Sequence, residues 1–559
     1  MNPYTPDIWS KSYAPGVSWD AEIRIYPVSD LLDVAHAKYG DKPAFDYLGK
    51  RYTWTELATA ANHVAKGFQE RGLQKGDRVA LMLPNCPFYA ACYYGILKAG
   101  GIIVNLNPLY AEREVKHHID DSGAKYLVTL DLEPMFSKAV DVLHQTKLEN
   151  LVVCRFVDVL PFPKNLLFPV IKWKDIAADA HNGDYLAFDE LTHNDGIPAA
   201  VPIDPANDIA LLQYTGGTTG VPKAAALTHA NITANVEQCR LWFPEASEGD
   251  GKMLGVIPFF HAFSMTAVLN FGVRLGWEII ATPKFDVEET LKIISKKKPK
   301  LFPAVPAIYN AIAQKAAGTK YDLSSIQYCV SGGAPLPVEV KKTFEDLTGA
   351  VVVEGYGLSE TSPVVCVNPT AGSNAAGSIG LPVCGTVVEI VSLEDGVTLM
   401  PLGEKGELCV RGPQVMKEYW NKPDETAAVL RDGRLHTGDV ATMDTQGYVR
   451  IVDRIKDMII VNGFKVYPRN VEDVIYQYGG VAECIVAGVP DPQRGEMVKA
   501  WVHPKAGVTL DAGALKAFLK EQLTPTEVPR AIEISDTPLP KTLIGKLSRK
   551  DVAAKDRAG

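Results

Sequence analysis

The chain has 559 residues, of which 47% are hydrophobic and 22% are charged, and its formal net charge is −9. A chain of this length is expected to divide into more than one domain, and the composition is that of an ordinary globular protein. The negative balance argues against a general nucleic-acid-binding function, so we expect no nucleic acid among its partners.

The cysteines and the hydrophobic pattern bear on the compartment. Nine cysteines are scattered without a Cys-x-x-Cys pair, which is typical neither of a disulfide framework nor of a zinc site. The N-terminus lacks a basic head followed by an apolar run, and no uncharged apolar stretch is long enough to span a bilayer. We therefore expect no signal peptide, no spanning helix and a cytoplasmic location.

The first 150 residues indicate an α/β architecture. Residues 1–27 are rich in proline and aromatic residues and are expected to run over the surface as an arm. Helix and strand signals then alternate, which favours a largely parallel sheet. The sequence predicts a hairpin at 44–54, a helix from Thr55, and strands at 78–84 and 102–108.

The stretch 155–175 mixes apolar and basic residues with three prolines. Packing against the large domain is the more common outcome for such an insertion. A membrane-surface patch at the inner face is the alternative, with Phe, Leu and Trp side chains entering the bilayer. In that case Lys164, Lys172 and Lys174 would meet anionic lipid. The sequence also leaves a homodimer open.

An apolar run at 209–214 predicts a buried strand that breaks into a Gly/Thr-rich loop. Glycines let backbone N–H groups approach an anion, threonine hydroxyls add donors, and a lysine adds a positive charge. The spacing is not that of a Walker loop or a Rossmann fingerprint. The sequence therefore predicts a different polyphosphate-binding loop, formed by Thr215, Gly216, Gly217, Thr218, Thr219, Gly220 and Lys223.

Two helices and two further strand–loop units follow. Helices are predicted at 228–242 and at 286–298, the second capped by Asp286. Strands at 327–330 and 351–353 each run into a Gly-rich loop. Because ligands in open α/β sheets gather at the carboxyl ends of strands, three such loops suggest one converging site.

A change of pattern at 453–457 predicts a domain boundary. The remaining residues suffice for a small α+β domain. Its helix at 512–523 is predicted to start after Asp511 and to bury one apolar face, formed by Leu515, Phe518, Leu519 and Leu523.

With these motifs the chain resembles the adenylate-forming superfamily of acyl-CoA synthetases, luciferases and adenylation domains. The resemblance spans nearly the whole chain and is greatest to bacterial long-chain fatty acid–CoA ligases. It implies a large N-terminal domain of mixed sheets flanked by helices (1–454) and a small mobile α+β C-terminal domain (455–559). The phrases that carry it lie at 208–229, 354–363, 377–383, 406–415, 435–439 and 451–457.

The resemblance implies a two-step reaction that uses ATP, Mg²⁺ and coenzyme A. A medium- or long-chain fatty acid would attack the α-phosphate of ATP, and the coenzyme A thiol would then displace AMP from the acyl-adenylate. Two alternatives remain open. The acyl group could pass to a carrier protein, or the substrate could be another hydrophobic carboxylate.

The resemblance also assigns site residues. Lys223, Glu360 and Lys546 would be catalytic, with Glu360 as the Mg²⁺ ligand. The segment around His261 and Phe260 would line the acyl pocket. Besides the loop 215–220 and Lys223, the nucleotide would meet Gly333, Ala334, Glu354, Gly355, Tyr356, Gly357, Ser359, Asp439 and Arg454.

The predicted small domain carries the coenzyme side of the site. Lys456 occupies the family's hinge position, and Gly463, Phe464 and Lys465 would border the coenzyme A tunnel. The sequence departs from the family at 523–529, where a Tyr-Lys pair is usual before Val/Ile-Pro. Coenzyme contacts in that stretch are therefore not carried over.

Overall fold

The computed structural model describes residues 2–215, 222–461, 464–491, 495–541 and 547–558. The chain divides into two compact units, which are treated separately below. The larger unit comprises Trp9–Val387 and Arg411–Leu435, and the smaller unit comprises Met1–Ile8, Val388–Val410 and His436–Gly559. The domain division predicted at 454/455 stays a prediction.

The larger unit contains a sheet to which the described residues contribute nine strands. Its interior strands are parallel, whereas the pairings at both ends are antiparallel. In order across the sheet, the strands are Leu381–Pro382, Val364–Val367, Val351–Gly357, Tyr328–Ser331, Leu301–Ala304, Lys252–Gly255, Glu278–Ala281, Pro43–Tyr47 and Lys50–Thr53.

A second sheet of the larger unit has eight strands among the described residues. Its parallel strands are buried along almost their whole length, which is why they read as continuous apolar runs in the sequence. In order, the strands are Glu418–Tyr419, Lys223–Thr228, Ile209–Thr215, Ile102–Asn105, Arg78–Leu81, Tyr126–Leu130, Asn150–Cys154 and Leu186–Ala187. The predicted α/β class is confirmed.

Two helices of the larger unit begin at the side-chain caps that the sequence predicts. Thr228 accepts a hydrogen bond from the Asn231 N–H, and Asp286 accepts one from the Glu289 N–H, so both predicted starts are confirmed. The helices and helical turns are Asp30–Tyr39, Trp54–Glu70, Pro87–Lys98, Glu112–Ser122, Glu133–Gln145, Lys164–Ile171, Phe188–Thr192, His229–Trp242, Ala262–Ser264, Met265–Asn270 (a π-helix), Phe271–Leu275, Val287–Lys297, Pro306–Ala316, Val338–Thr348 and Pro423–Val429; Pro6–Trp9 precedes them.

The smaller unit contains a strand pair that matters for the site. Strands Arg434–Met443 and Val449–Arg454 run antiparallel. Strands Val387–Val391 and Gly406–Arg411 precede Arg434–Met443 in the order of this sheet.

The C-terminal part of the smaller unit is an α+β arrangement. The helix after Asp511 is confirmed, because Asp511 accepts a hydrogen bond from the Ala514 N–H, and Leu515 and Leu519 are fully buried. Phe518 and Leu523 pack against the same core. The strands are Phe464–Val466, Ile459–Val461, Gly495–Pro504, Val481–Asp491 and Ala531–Ile534, and the helices are Pro468–Gln477, Ala512–Gln522 and Arg549–Ala558.

All nine cysteines lie among the described residues, where each is buried with a free thiol. This agrees with the predicted absence of a disulfide framework. In the described ranges, no helix combines the length and the apolar character that crossing a membrane requires.

Candidate functional site

The predicted phosphate loop joins two antiparallel neighbours of the eight-stranded sheet. Thr215 ends one strand and lies opposite Lys223, which begins the next, and the Thr215 hydroxyl donates to the Lys223 carbonyl over 3.3 Å. Gly216, Gly217, Thr218, Thr219 and Gly220 lie outside the described residues. The chain continues as a strand after the loop, and so differs from a Walker loop, which opens a helix.

Lys223 lies between an acidic and an aromatic side chain. Its ammonium forms an ion pair with Glu425, which is on the helix Pro423–Val429. The same ammonium lies over the ring of Tyr419, with Nζ 5.3 Å from the ring centroid. A phosphate group approaching Lys223 would compete with the Glu425 carboxylate for the ammonium.

Tyr419 also contacts Glu360. Its hydroxyl donates to Glu360 Oε1 over 2.7 Å, and the Met416 N–H donates to the Glu360 carbonyl over 2.7 Å. Burial raises the pKa of the Tyr419 phenol and the negative charge of Glu360 raises it further, so Tyr419 stays protonated and donates. Two predicted catalytic residues therefore contact the same tyrosine, Glu360 at its hydroxyl and Lys223 over its ring.

The two later Gly-rich loops leave neighbouring parallel strands of the nine-stranded sheet. Ser331 lies opposite Glu354 in the register, so Gly333 and Ala334 follow one strand end beside the other. Glu354 accepts a hydrogen bond from the Leu336 N–H over 3.2 Å. Gly357 has room for no side chain, since a Cβ there would lie 1.8 Å from the Pro363 carbonyl oxygen.

The predicted convergence of the three loops stays a prediction, but its assumed basis in one open sheet is wrong. Two of the loops leave adjacent strands of the nine-stranded sheet, whereas the strand Ile209–Thr215 belongs to the eight-stranded sheet. A single sheet edge does not bring all three together. Tyr419, on the edge strand of the eight-stranded sheet, makes the connection to Glu360 after Val351–Gly357.

The predicted acyl-pocket segment is a short helix that continues into a π-helix. His261 caps the helix, because its Nδ1 accepts from the Phe263 N–H over 3.3 Å. The Phe260 carbonyl accepts a hydrogen bond from Gln213 over 3.1 Å, which joins this segment to the strand before the phosphate loop. All residues of the π-helix Met265–Asn270 are buried. Single π-turns are frequent at functional sites.

In the smaller unit, the predicted ribose-binding pair is adjacent. Asp439 and Arg454 face each other on antiparallel strands, with Arg454 Nε 3.4 Å from Asp439 Oδ1. Asp439 is buried, whereas Arg454 is half exposed. A buried carboxylate with a neighbouring guanidinium can accept hydrogen bonds from two vicinal hydroxyl groups.

A glutamate that the sequence analysis did not single out shapes the turn before Asp439. Glu407 accepts hydrogen bonds from His436 Nδ1 over 2.8 Å and from the Gly438 N–H over 3.0 Å. Gly438 has a φ of 73°, which favours glycine. The Asp439 N–H in turn donates to the Thr437 hydroxyl. Glu407 thus stabilises the backbone that presents Asp439.

The hinge and coenzyme residues are described only in part. Lys456 is exposed in the helical turn Ile455–Asp457, and Phe464 and Lys465 are exposed at the start of the strand Phe464–Val466. Gly463 and Lys546 lie outside the described residues. On either side of the segment that carries Lys546, Lys541 and Leu547 form an antiparallel bridge.

Sequence reasoning missed Tyr419, Glu425 and Glu407. Tyr419 lies in a strand that is only two residues long, and Glu425 lies on the short helix that follows it. The partners of both residues are distant in the sequence. A period of two or of 3.6 residues cannot reveal such contacts. The phrase Gly-Glu-Leu at 406–408 was noted only for the family resemblance, and its acidic residue would have been the signal.

Comparison with known families now decides the class. The AMP-binding enzyme family matches residues 32–420, and the C-terminal domain of AMP-binding enzymes matches residues 470–546. The chain belongs to the AMP-binding enzyme family. The resemblance that the sequence motifs indicated is confirmed.

Relatives within the AMP-binding enzyme family match almost the entire chain. A long-chain-fatty-acid–CoA ligase of Bacillus subtilis (strain 168) is 46% identical over 548 residues, 97% of each chain. A protein of the same name from Escherichia coli O6:H1 is 38% identical and covers 98% of this chain, or 97% of its own length. A feruloyl-CoA synthase of an Amycolatopsis species is 36% identical over 90% of this chain and 94% of its own length.

A solved structure of the AMP-binding fold is similar as well. ATP-bound MatB from Rhodopseudomonas palustris is 27% identical to this chain, with a TM-score of 0.82 over 94% of this chain and 98% of that one. The predicted fold class, a large N-terminal domain with mixed sheets and a small C-terminal domain, is confirmed.

Proposed function

We propose that this AMP-binding enzyme is an ATP-dependent fatty acid–CoA ligase that converts a medium- or long-chain fatty acid, ATP and coenzyme A into acyl-CoA, AMP and diphosphate. The observation that carries the proposal is that Lys223 and Glu360 both contact Tyr419. It brings a cation and a carboxylate together at the end of a strand that opens into a Gly/Thr-rich loop. The names of the full-length relatives support the substrate class.

In the first half-reaction, the protein has to bring two anions together. Lys223 and the loop that begins at Thr215 would hold the β- and γ-phosphates, and Lys546 would approach the carboxylate and the α-phosphate. Asp439 and Arg454 would hold the ribose, while Tyr356 and Ser359 would meet adenine and the α-phosphate. Chemistry of this kind depends on positioning and on charge neutralisation more than on covalent help.

Glu360 fits the requirements of a Mg²⁺ ligand. Mg²⁺ in nucleotide sites is usually held by one or two carboxylates together with phosphate oxygens and water. Glu360 Oε1 accepts from Tyr419, and within the described ranges its carboxylate makes no other hydrogen bond or ion pair. Among the described residues nothing occupies Oε2, so a cation could bind there, and Mg²⁺ at that oxygen would neutralise phosphate charge.

The second half-reaction needs a path for the coenzyme A thiol. Gly463, Phe464 and Lys465 would border that path. A rotation at Lys456 would move Lys546 away from the site and bring the path to it. Lys546→Ala should lose adenylate formation but still convert supplied acyl-adenylate and coenzyme A. Lys456→Pro and Gly463→Leu should make adenylate and stop at transfer. Equal loss of both half-reactions in all three variants would contradict a two-placement cycle.

The experiment that tests the function is mass spectrometry of products from ATP, Mg²⁺ and coenzyme A with acetate, decanoate, palmitate, oleate or ferulate. Each buried methylene contributes about 0.8 kcal/mol, so catalytic efficiency should rise steeply from acetate to the long chains. Highest efficiency with ferulate would favour a ligase for another hydrophobic carboxylate. Acyl-adenylate that forms but reacts only with a carrier-protein thiol would favour the carrier-protein alternative.

We further propose contact with the inner face of a membrane through the stretch 155–175. Its first part packs inward, since Phe156, Val159 and Leu160 are buried. The helix Lys164–Ile171 has no buried residue, and Phe156 and Phe168 meet edge to face with their centroids 5.0 Å apart. We define the exposed surface by its large apolar side chains, which are Phe162, Leu166, Leu167, Val170, Ile171 and Trp173.

Charge complementarity indicates an anionic lipid surface as the occupant. Lys164, Lys172 and Lys174 flank the exposed surface, and Asp175 offsets only part of this charge through an ion pair 3.6 Å from Lys172. Apolar and tryptophan side chains bordered by lysines are typical of segments that lie in the bilayer interface. A second copy of the chain is the other possible occupant, and it would make the protein a homodimer.

A further inference from the structure

We propose that Tyr419 is a positioning residue that holds the Glu360 carboxylate and the Lys223 ammonium in a defined relation to each other. The inference rests on the proposed function, because it concerns two groups expected to meet Mg²⁺ and phosphate. It goes beyond that function by assigning a task to a residue that carries no predicted role.

The hydroxyl of Tyr419 holds the Glu360 carboxylate. It is 2.7 Å from Glu360 Oε1, which limits rotation of the carboxylate and directs the other oxygen elsewhere. Carboxylates that bind metals are commonly oriented by such outer hydrogen bonds, and loss of the partner weakens metal affinity. The hydroxyl therefore acts on the cation only through Glu360.

The ring of Tyr419 holds the Lys223 ammonium. The Lys223 ammonium lies over it at 5.3 Å, and the only ion pair of Lys223 among the described residues is with Glu425. A cation over the face of an aromatic ring is attracted by the negative charge of that face. One side chain thus contacts both groups, through different atoms.

Tyr419 is itself held firmly. It is 8% exposed, it pairs with Ala225 across the sheet edge, and its N–H donates to the Thr426 hydroxyl over 2.9 Å. The Trp420 N–H donates to the Ala224 carbonyl over 2.8 Å. A side chain on a paired strand can set a geometry that a surface loop cannot.

The test separates hydroxyl from ring by means of Tyr419→Phe and Tyr419→Leu. Binding of Mn²⁺, used as the probe cation, is followed by electron paramagnetic resonance in the presence of a non-hydrolysable ATP analogue. Tyr419→Phe should weaken Mn²⁺ binding about tenfold and leave metal-free binding of the analogue within about twofold of wild type. Tyr419→Leu should also weaken binding of the ATP analogue in the absence of metal, because the ring no longer supports Lys223.

A matched control is Tyr26→Phe. Tyr26 also donates to a carboxylate, Glu237 Oε1, over 2.6 Å, and burial raises the pKa of its phenol as it does for Tyr419. This variant should lose stability without any change in Mn²⁺ binding. If Tyr419→Leu does not fold, Tyr419→Phe and the control still decide the hydroxyl's role.

A double-mutant cycle with Glu360→Gln decides whether the hydroxyl acts through Glu360. In the Glu360→Gln background, Tyr419→Phe should change Mn²⁺ binding by less than about twofold. Either an undiminished tenfold effect there or wild-type Mn²⁺ binding by Tyr419→Phe would overturn the inference. Failure of the proposed function would appear separately, as wild-type enzyme that makes no acyl-adenylate.

Discussion

Arg454 Nε lies 3.4 Å from Asp439 Oδ1, across two antiparallel strands that place the two residues directly opposite each other. The pair lies at the end of Val449–Arg454, immediately before the helical turn that contains Lys456. The pair therefore places a buried carboxylate next to the predicted hinge.

Asp439→Asn should raise the KM for ATP by roughly 10- to 100-fold, since an amide keeps the shape but loses one charge-assisted acceptor for the ribose hydroxyls. The measurement is adenylate formation at varied ATP concentration. Asp444→Asn is the control, because Asp444 accepts from the Gln446 and Tyr448 N–H groups in the following turn. A similar rise of KM in both variants would indicate a structural effect only.

Glu425→Gln should strengthen ATP binding by at most about fivefold, because the ion pair with Lys223 is partly exposed and contributes little free energy. The gain should shrink at high salt, which screens exposed charges. Asp424→Asn, one residue earlier on the same helix, is the matched control. Weaker ATP binding by Glu425→Gln would mean that Glu425 orients Lys223 instead of competing with phosphate.

Arg549→Met should destabilise the smaller unit by about 3–5 kcal/mol, because it leaves buried carboxylates without their cation. Arg549 Nη2 lies 2.5 Å from Glu472 Oε2, and Arg549 Nη1 lies 3.3 Å from Asp457 Oδ2 and 3.7 Å from Asp453 Oδ1. Lys541→Met is the control, since its pair with Glu483 is more exposed and should contribute about 0–1 kcal/mol.

The loss of stability in Arg549→Met should depend on pH in a defined direction. Burial raises the pKa of Glu472 and of Asp453, and the Arg549 charge opposes this rise, so its loss raises both further. A carboxyl group whose pKa is raised in the folded state binds more protons there than in the unfolded chain. The free energy of unfolding therefore falls as the pH rises from the pKa of the unfolded state to that of the folded state. In thermal unfolding, the difference in stability between Arg549→Met and the wild type should become smaller at mildly acidic pH. A difference that does not change with pH would contradict this prediction.

Val170→Glu with Trp173→Glu should abolish sedimentation with phosphatidylglycerol vesicles, because these side chains are 74% and 64% exposed and would enter the interface. Lys164→Gln with Lys174→Gln should weaken binding to anionic but not to neutral vesicles. Ile197→Glu, at a residue 71% exposed elsewhere on the larger unit, is the control. A wild-type dimer that the double glutamate variant dissociates would assign the surface to a second copy.

Features that depend on neighbouring residues could be predicted from the sequence. The helix starts after Thr228, Asp286 and Asp511 were predictable, because a cap hydrogen-bonds to a backbone N–H three residues on. The buried strand at 209–214 followed from its continuous apolar character, and the family followed from motifs in a fixed order. Local chemistry suffices for each of these features.

Which distant residues share a site became visible only in the three-dimensional fold. Tyr419 meets Glu360 across 59 positions and Glu425 meets Lys223 across 202, and no periodicity encodes such pairs. The structure also places the phosphate-loop strand in a different sheet from the two later loops. It leaves six large apolar side chains of 162–173 exposed, although packing is the commoner expectation for such a stretch. These outcomes depend on how sheets and segments pack in three dimensions, which the order of residues along the chain does not specify directly.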